Sequence, residues 1–530
     1  MLFNSYIFIF VFLPLIIIIY TWVHRLQNRS WTIALLVIAS LFYYAWWKPE
    51  FTLLLLFSVS INYIFGKILT DGKLNSNKSK IILTFGIIFN LALLFYFKYT
   101  IFFIKNINNW FNGDLTIPQI ILPIGISFIT FQKIAFLVDA QSGKVHNFSF
   151  KNYALFVTFF PQLIAGPIVH HSEMMSQFDK KPTKNQIWDD LAIGISIFII
   201  GLFKKVVLAD SLAIYADAGY GTLKTGFPLD FASSWITVIS YSLQIYFDFS
   251  GYSDMAIGLA RIFGIHLPVN FHSPYKSQNI IEFWRRWHMT LSRFLRDYIY
   301  IPLGGNRVGG FRQFINLLIV MLIGGIWHGA NWTFVLWGLI HGAMLAINHV
   351  WNQTTFSKYK IIKNKLIDIF SILFTFMLVS LAWIPFRSES ITDALKMFNY
   401  LFLPGSFDII KISLLNFIDA QTIFIHDLKD ISQWWKPTEF WPYPLPADFI
   451  STQKPLAITL IFILIVTFIF PNTNQYFAKF NPVTGIHDDQ LKHFFNLNKL
   501  NIKTTFFISG LFIFSVLQLS HVSPFLYFQF

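Results

Sequence analysis

Phe314-Ile315-Asn316-Leu317-Leu318-Ile319-Val320-Met321-Leu322-Ile323-Gly324-Gly325-Ile326-Trp327-His328-Gly329-Ala330 is the stretch that decides what kind of chain this is. It is apolar apart from one asparagine and one histidine, and with Gln313 it is long enough to cross a bilayer. An ionisable side chain at that depth is costly, so His328 reads first as functional. Histidine is also the side chain best suited to moving a proton near neutral pH. The competing reading is an imidazole held between helices in a purely structural role. Gly324, Gly325 and Gly329 fit close helix packing, and they also leave room beside the ring for a substrate.

The same pattern recurs outward from this stretch. Of 530 residues, 55% are hydrophobic and only 12% are charged, with a mean hydropathy of +0.55. Soluble domains carry about 25% charged residues. The apolar runs are continuous, as in spanning helices, and do not alternate as barrel strands would. The fold class is therefore an all-α polytopic membrane protein. Spans are predicted near 5–23, 32–47, 51–68, 81–98, 118–138, 190–210, 232–250, 313–330, 333–350, 366–385, 456–470 and 504–520. Pro161, Gly166 and Pro167 interrupt a further apolar segment, 152–169, which reads as re-entrant or broken.

Charge gives an orientation. Arg25, Arg29, Lys67, Lys73, Lys78, Lys80, Lys144, Lys151, Lys358, Lys360, Lys363 and Lys365 all fall on one side of this map. So does the basic segment Arg261 to Arg312. The positive-inside rule makes that side cytoplasmic and puts both termini outside. The acidic segment 403–450, with Trp434-Trp435-Lys436-Pro437 and Trp441-Pro442-Tyr443-Pro444, falls outside as well. It reads as an extracytoplasmic insert, either a packed loop or a surface for membrane or partner. The chain thus divides into a core at 1–402, the insert at 403–450 and C-terminal helices at 451–530. The net charge of +14 is loop bias; no nucleic-acid motif accompanies it. No Lys or Arg precedes Arg25, so the first span is expected to be retained and not cleaved as a signal. The absence of cysteine excludes disulfides, thiolate metal sites and a cysteine nucleophile.

Phe283-Trp284-Arg285-Arg286-Trp287-His288-Met289-Thr290-Leu291-Ser292-Arg293-Phe294-Leu295-Arg296-Asp297-Tyr298 carries a second constellation. As one helix it places Trp284, Trp287, Leu291, Phe294, Leu295 and Tyr298 on one arc. Arg285, Arg286, Arg293 and Arg296 lie on the other, with His288 at its edge. An interfacial helix meeting lipid phosphates is one account. A cationic lip for an anionic donor, through bidentate phosphate contacts, is the other. His341 reads mainly as packing or support. Asp248 and Asp254 are expected to pair with arginine or cap a helix, with orientation of an imidazole as the alternative. No zinc motif, nucleotide loop or nucleophile elbow is present, and no metal site is predicted. His170 and His171 are adjacent, so they point in different directions and do not form a metal pair.

Three elements together, Trp284 to Tyr298, Ile301-Pro302-Leu303-Gly304-Gly305-Asn306-Arg307 and Trp327-His328-Gly329-Ala330-Asn331-Trp332, resemble the membrane-bound O-acyltransferases. The branch is the bacterial one typified by the membrane component of alginate O-acetylation. Phe160 to Pro167, Gly201-Leu202-Phe203-Lys204-Lys205, Tyr246 to Asp254 and the terminal Phe528-Gln529-Phe530 add to the resemblance, which runs over about residues 40 to 400 plus the tail. It implies a ring of roughly 12 transmembrane helices, with re-entrant and interfacial helices, around a thinned central funnel. It implies that His328 is catalytic with His288 as its companion, and that Trp327 and Asn331 support them. The expected donor is a cytoplasmic thioester, acetyl-CoA or an acylated carrier protein, with no bound cofactor. The expected outcome is O-acetylation of an exopolysaccharide or cell-wall glycan outside the inner membrane of a bacterium. An SGNH-like periplasmic acetyltransferase would complete delivery. In this expectation His328 is the general base, His288 binds the thioester carbonyl or shuttles the proton, and the four arginines hold the donor. Other readings are a transporter or flippase of a lipid-linked sugar, a scaffold for a partner transferase, and, within the enzymes, D-alanyl or peptidoglycan acyl transfer.

Overall fold

Apolar helices that must satisfy every backbone group internally dominate the computed structural model. It describes all residues except 27, 73–74, 179, 181–182, 226–227, 354–364, 403–453, 487–496, 498–500, 520–524 and 527–530. The insert at 403–450, Lys358 to Lys363 and Phe528 to Phe530 lie outside the described residues. The helices are α1 (Leu13–Arg25), α2 (Arg29–Ala45), α3 (Pro49–Thr70), α4 (Ser76–Leu94), α5 (Thr100–Phe111), α6 (Ile126–Gln141), α7 (Phe150–Thr158), α8 (Phe160–Leu163), α9 (His171–Met174), α10 (Lys184–Phe203) and α11 (Asp210–Lys224). They continue with α12 (Phe231–Ile262), α13 (Ile280–Arg286), α14 (Met289–Leu295), α15 (Gly310–His328), α16 (Trp332–Gln353), α17 (Lys365–Arg387), α18 (Ile391–Phe402), α19 (Lys454–Ile469), α20 (Thr473–Tyr476) and α21 (Ile502–Leu517). Among the described residues the only β feature is a bridge between Pro268 and Thr484.

Seven of the predicted spans fall on helical stretches long and apolar enough to cross a membrane. Two of these run on beyond the predicted ends. Ser76–Phe111 joins α4 to α5 through a π-helical turn at Phe95–Tyr99, and Asn185–Lys224 joins α10 to α11 through another at Lys204–Ala209. The spans at 32–47, 456–470 and 504–520 fall on shorter apolar helices. The span at 118–138 starts late: Pro118, Pro123 and Gly125, which has a φ of 75°, keep the chain irregular until Ile126. The span at 232–250 is the first part of α12, a 32-residue helix buried along nearly all its length. Asp248, Asp254, Gln244 and several serines on α12 lower its hydropathy, and it packs against α10, α11, α17 and α18.

The outer perimeter carries exposed Leu15, Ile18, Ile38, Leu53, Phe57, Phe85 and Ile347. In a membrane-spanning chain this is the lipid-facing surface. The interior is tied by glycines and by polar pairs. A Cβ on Gly194 would lie 2.6 Å from the Gly258 carbonyl, and one on Gly258 would lie 2.5 Å from the Gly194 carbonyl. Gly201 and Gly251 repeat this reciprocal contact at 2.6 and 2.8 Å. Each pair brings the backbones of α10 and α12 together as small residues do between membrane helices.

The expected break at 152–169 is present. α7 ends at Thr158, Phe159 turns the chain, and α8 begins with Pro161 in its first turn, where the missing N–H is not needed. The Phe160 N–H donates to Ser40 Oγ at 3.0 Å, and the Gln132 and Gln162 amides both donate to the Phe156 carbonyl. The broken backbone is thus satisfied by protein, as it must be at depth.

Asp248 and Asp254 pair with lysines and not, as anticipated, with arginine. Lys205 Nζ lies 2.6 Å from Asp248 and 2.8 Å from Asp210, and Lys204 Nζ lies 2.6 Å from Asp254. The Thr473 hydroxyl and the Leu526 N–H also donate to Asp254 and Asp248. The network ties the π-helical turn after α10 to α12, α20 and the chain near Leu526. Asp248→Ala is expected to cost about 3–5 kcal/mol, because it leaves a buried ammonium short of a counter-charge. A lowered thermal midpoint of the purified protein checks this, and an unchanged midpoint would count against it.

Candidate functional site

The segment 283–298 does not form the single helix that its periodicity predicts. α13 ends at Arg286, His288 takes a left-handed φ of 42°, and α14 restarts at Met289. The apolar arc holds: Trp284, Trp287, Leu291, Phe294 and Leu295 are buried, with Tyr298 partly so. The kink changes the position of His288, which sits at 0% exposure and not on a polar edge. Its reason lies in the partner. Asn270 Oδ1 accepts from His288 Nδ1 at 3.1 Å, from the Thr290 hydroxyl at 2.9 Å and from the Thr290 N–H at 3.4 Å. The Asn270 carbonyl takes the Met289 N–H at 2.9 Å. One asparagine therefore receives the break between the two helices.

The backbone N–H of Thr290 can only donate, so the Asn270 atom facing it is the amide oxygen. That oxygen requires the proton of His288 to sit on Nδ1, and Nε2 then carries the lone pair. Burial pushes the His288 imidazole down to about 3, so the ring is neutral. Asn270→Ala removes this acceptor while leaving both histidines. It is expected to lower the rate of a reaction at the paired histidines about a hundredfold, the loss that a one-ångström displacement of a reacting group can bring. A wild-type rate in that variant would show that Asn270 does not orient His288.

His328 is the last residue of α15 and is 4% exposed. The turn Gly329-Ala330-Asn331 reverses the chain into α16, and Asn331 Oδ1 accepts the Thr333 N–H at 3.2 Å. Asn331 Nδ2 reaches the Glu389 carbonyl at 2.8 Å, so this residue shapes the turn. Gly329 has extended backbone, and a Cβ there would collide with the Phe334 ring. Gly338 meets the Met321 carbonyl at 2.5 Å in the same sense, which holds α16 against α15.

The two imidazoles face one another inside an aromatic chamber. Their ring centroids are 6.5 Å apart. Ring nitrogens stand about 1.2 Å from a centroid, so the gap is about 4 Å or more, beyond a direct hydrogen bond. Trp327, Trp337 and Phe386 surround His328 at 4.9, 5.1 and 5.1 Å, and Phe249 stands over His288 at 4.8 Å. A cavity of about 400 Å³ reaches His328 and Trp327 past Tyr44, Trp47, Lys98 and Phe128. His341 accepts a hydrogen bond from Trp284 Nε1 at 3.2 Å, meets the Trp337 ring edge to face and stacks on Phe283. These contacts place it in the chamber wall.

The arginines divide. Arg286 pairs with Glu282, Arg296 with Asp297, and Arg293 grips Glu173 with both ends of its fork, at 2.5 and 2.7 Å. Arg285 is exposed and has no ion pair among the described residues. Beyond the arginines, Asp139 gathers Tyr298 at 2.8 Å, Lys144 at 3.3 Å and the His171 and His170 rings at 3.3 and 3.8 Å, so the two adjacent histidines, expected to point apart, converge on one carboxylate. Burial works to raise the Asp139 carboxyl, but these hydrogen bonds outweigh it and hold it well below the usual range. Asp139 therefore stays ionised and ties α6 to α9 and the turn after α14.

Asn270, Lys98, Ser127, Asp139 and Glu173 were not singled out by the sequence. Asn270 and Ser127 sit in ordinary loop and apolar contexts. Lys98 had a signal, since it is a cation at the end of an apolar span.

The family profile described as MBOAT, membrane-bound O-acyltransferase family, matches residues 41–384. The chain is 42% identical over 456 residues to the peptidoglycan O-acetyltransferase of Helicobacter pylori, covering 81% of this chain and 84% of that one. It is 34% identical to the probable alginate O-acetylase AlgI of Pseudomonas putida, with both chains covered completely. Similarity to the teichoic acid D-alanyltransferase of Streptococcus thermophilus is 28% over 237 residues, 43% of this chain and 57% of that one.

Proposed function

Because the chain belongs to the membrane-bound O-acyltransferase family, we propose that it takes an acetyl group from a cytoplasmic thioester and passes it across the inner membrane for O-acetylation of an envelope glycan. That it is a multi-pass O-acyltransferase follows from the family, its named relatives and its spans. The transporter and scaffold readings have no such support. The observation that carries the finer proposal is the pair of facing imidazoles at the end of a cavity, in a chamber walled by aromatic rings.

In this proposal His328 takes the proton of an acceptor hydroxyl as the oxygen attacks the thioester carbonyl. The tetrahedral intermediate collapses, the carbon–sulfur bond breaks, and the leaving thiolate takes the proton from His328. His288, held by Asn270, sits across the gap from the developing oxyanion or passes the proton on. The aromatic walls exclude water that would hydrolyse the thioester. A donor phosphate or an acidic carrier surface is assigned to Arg285, whose guanidinium is not committed to an acid among the described residues. Both termini are assigned to the outside, a reading that the basic loops support, and on that assignment the cavity beside Trp47 and Lys98 lies on the outer side for the acceptor. A periplasmic transferase of the SGNH kind is the proposed next carrier.

Relatives named for peptidoglycan and for alginate support a polysaccharide of the envelope as the final acceptor, with the former at the higher identity. The test is base-labile acetate in separately purified peptidoglycan and exopolysaccharide, from the source cells with and without the gene. Loss from one fraction is expected. Unchanged acetate in both would sink the proposal.

A further inference from the structure

The last four carbonyls of any helix lack partners within it, and they carry the negative end of its dipole. In α15 those carbonyls belong to Gly325, Ile326, Trp327 and His328. The Gly325 carbonyl takes the Gly329 N–H at 3.4 Å. The other three are filled by two successive residues of a distant segment. Tyr99 Oη donates to the Ile326 carbonyl at 2.7 Å. Lys98 Nζ donates to the Trp327 carbonyl at 2.7 Å and to the His328 carbonyl at 2.8 Å. Its third proton reaches Ser127 Oγ at 3.3 Å, and the Trp327 indole N–H leans on the Ser127 carbonyl at 3.4 Å.

Neighbouring side chains on a regular helix diverge by about 100°, and would not normally serve one short row of acceptors. Here the chain runs through the π-helical turn Phe95–Tyr99, in which the Thr100 N–H bonds back to the Phe95 carbonyl. Such single widened turns concentrate at functional sites. Lys98 also lines the cavity that reaches His328.

We propose that Lys98 and Tyr99 are positioning residues for His328: they clamp the final turn of its helix and so fix the imidazole between the cavity and His288. The clamp grips backbone and not the imidazole, so it sets where the ring sits without sharing its proton. A cation there also complements the C-terminal end of the helix dipole. The inference rests on the reading of His328 as the base.

The test uses the full chain in its own cells, and the rate of base-labile acetate incorporation is expressed per folded chain in the membrane. Lys98→Met is expected to lose about thirtyfold or more, and Tyr99→Phe about three- to tenfold, in keeping with the cost of a misplaced reacting group. Lys98→Ala is expected to recover at least severalfold when ethylammonium is added outside the cells, because the amine can enter from the cavity. A defect in folding alone would not respond to the amine. The clamp is overturned if Lys98→Met keeps more than half the rate. It is equally overturned if Lys98→Met fails to fold while Tyr99→Phe works at the wild-type rate and the amine restores nothing to Lys98→Ala. His328→Ala is run alongside. A wild-type rate there overturns the reading on which the clamp depends, whereas its loss together with an unaffected Lys98→Met overturns the clamp alone.

Discussion

Changing His328 to alanine is expected to bring base-labile acetate on the affected glycan down to the level of cells without the gene. A general base contributes about 10²- to 10⁴-fold, which corresponds to roughly 3–5 kcal/mol of barrier. The residual reaction is then too slow to mark a polymer within a generation. The fold should survive. The helix end is held through the carbonyls of Ile326, Trp327 and His328, none of which the substitution removes. The imidazole is replaced by a small void among Trp327, Trp337 and Phe386. Equal abundance in the membrane is therefore the control, and acetate at the wild-type level in a variant of equal abundance would refute the assignment. His288→Ala should lose activity as well, and the double variant should be little worse than His328→Ala, because residues acting as a unit do not add.

The largest structural effect is expected at Gly258. Leucine there puts a side chain where the Gly194 carbonyl and the Phe198 N–H lie 2.5 and 2.6 Å from the first carbon. Nothing at the contact is the movable end of a side chain. α10 must retreat from α12, and the pairing of Gly201 with Gly251, seven residues along, retreats with it. Overpacking usually costs about 1–3 kcal/mol, and displacement of two backbones puts this case at or above the top of that range. Loss of folded protein from detergent extracts is the measurement. Gly510→Ala provides the contrast: its Cβ would meet nothing within 4 Å, so normal yield is expected there. Normal yield of Gly258→Leu would mean that the close approach is not required.

Much of the architecture was legible because the membrane imposes it. A long apolar run has few alternatives to a spanning helix, and Pro161 announces the broken segment by removing a donor. His328 was legible because an ionisable group in such a run is costly. The chemistry around His288 was less so. Periodicity placed its aromatic neighbours correctly, but no pattern in 283–298 announces a left-handed residue in mid-run. The kink depends on Asn270, eighteen residues upstream, whose amide oxygen receives Nδ1 of the ring. Likewise Asp248 and Asp254 announced a need for cations without saying which. Lys204 and Lys205 answer it because the Gly201 and Gly251 contact brings α10 within reach.

The bonds from Lys98 to α15 also set a schedule for the newborn chain. Lys98 and the carbonyl of His328 are 230 residues apart. At about 5–20 residues per second, synthesis takes roughly 10–50 s to cover that distance. Throughout it the span containing Lys98 sits in the bilayer with an ammonium lacking its final acceptors, and a long side chain in that position reaches for the interface. The amino-terminal half thus waits for the segment bearing the histidine before it can settle. A ribosome that stops short of α15 leaves behind a chain whose Lys98 ammonium still lacks the carbonyls it holds in the finished protein.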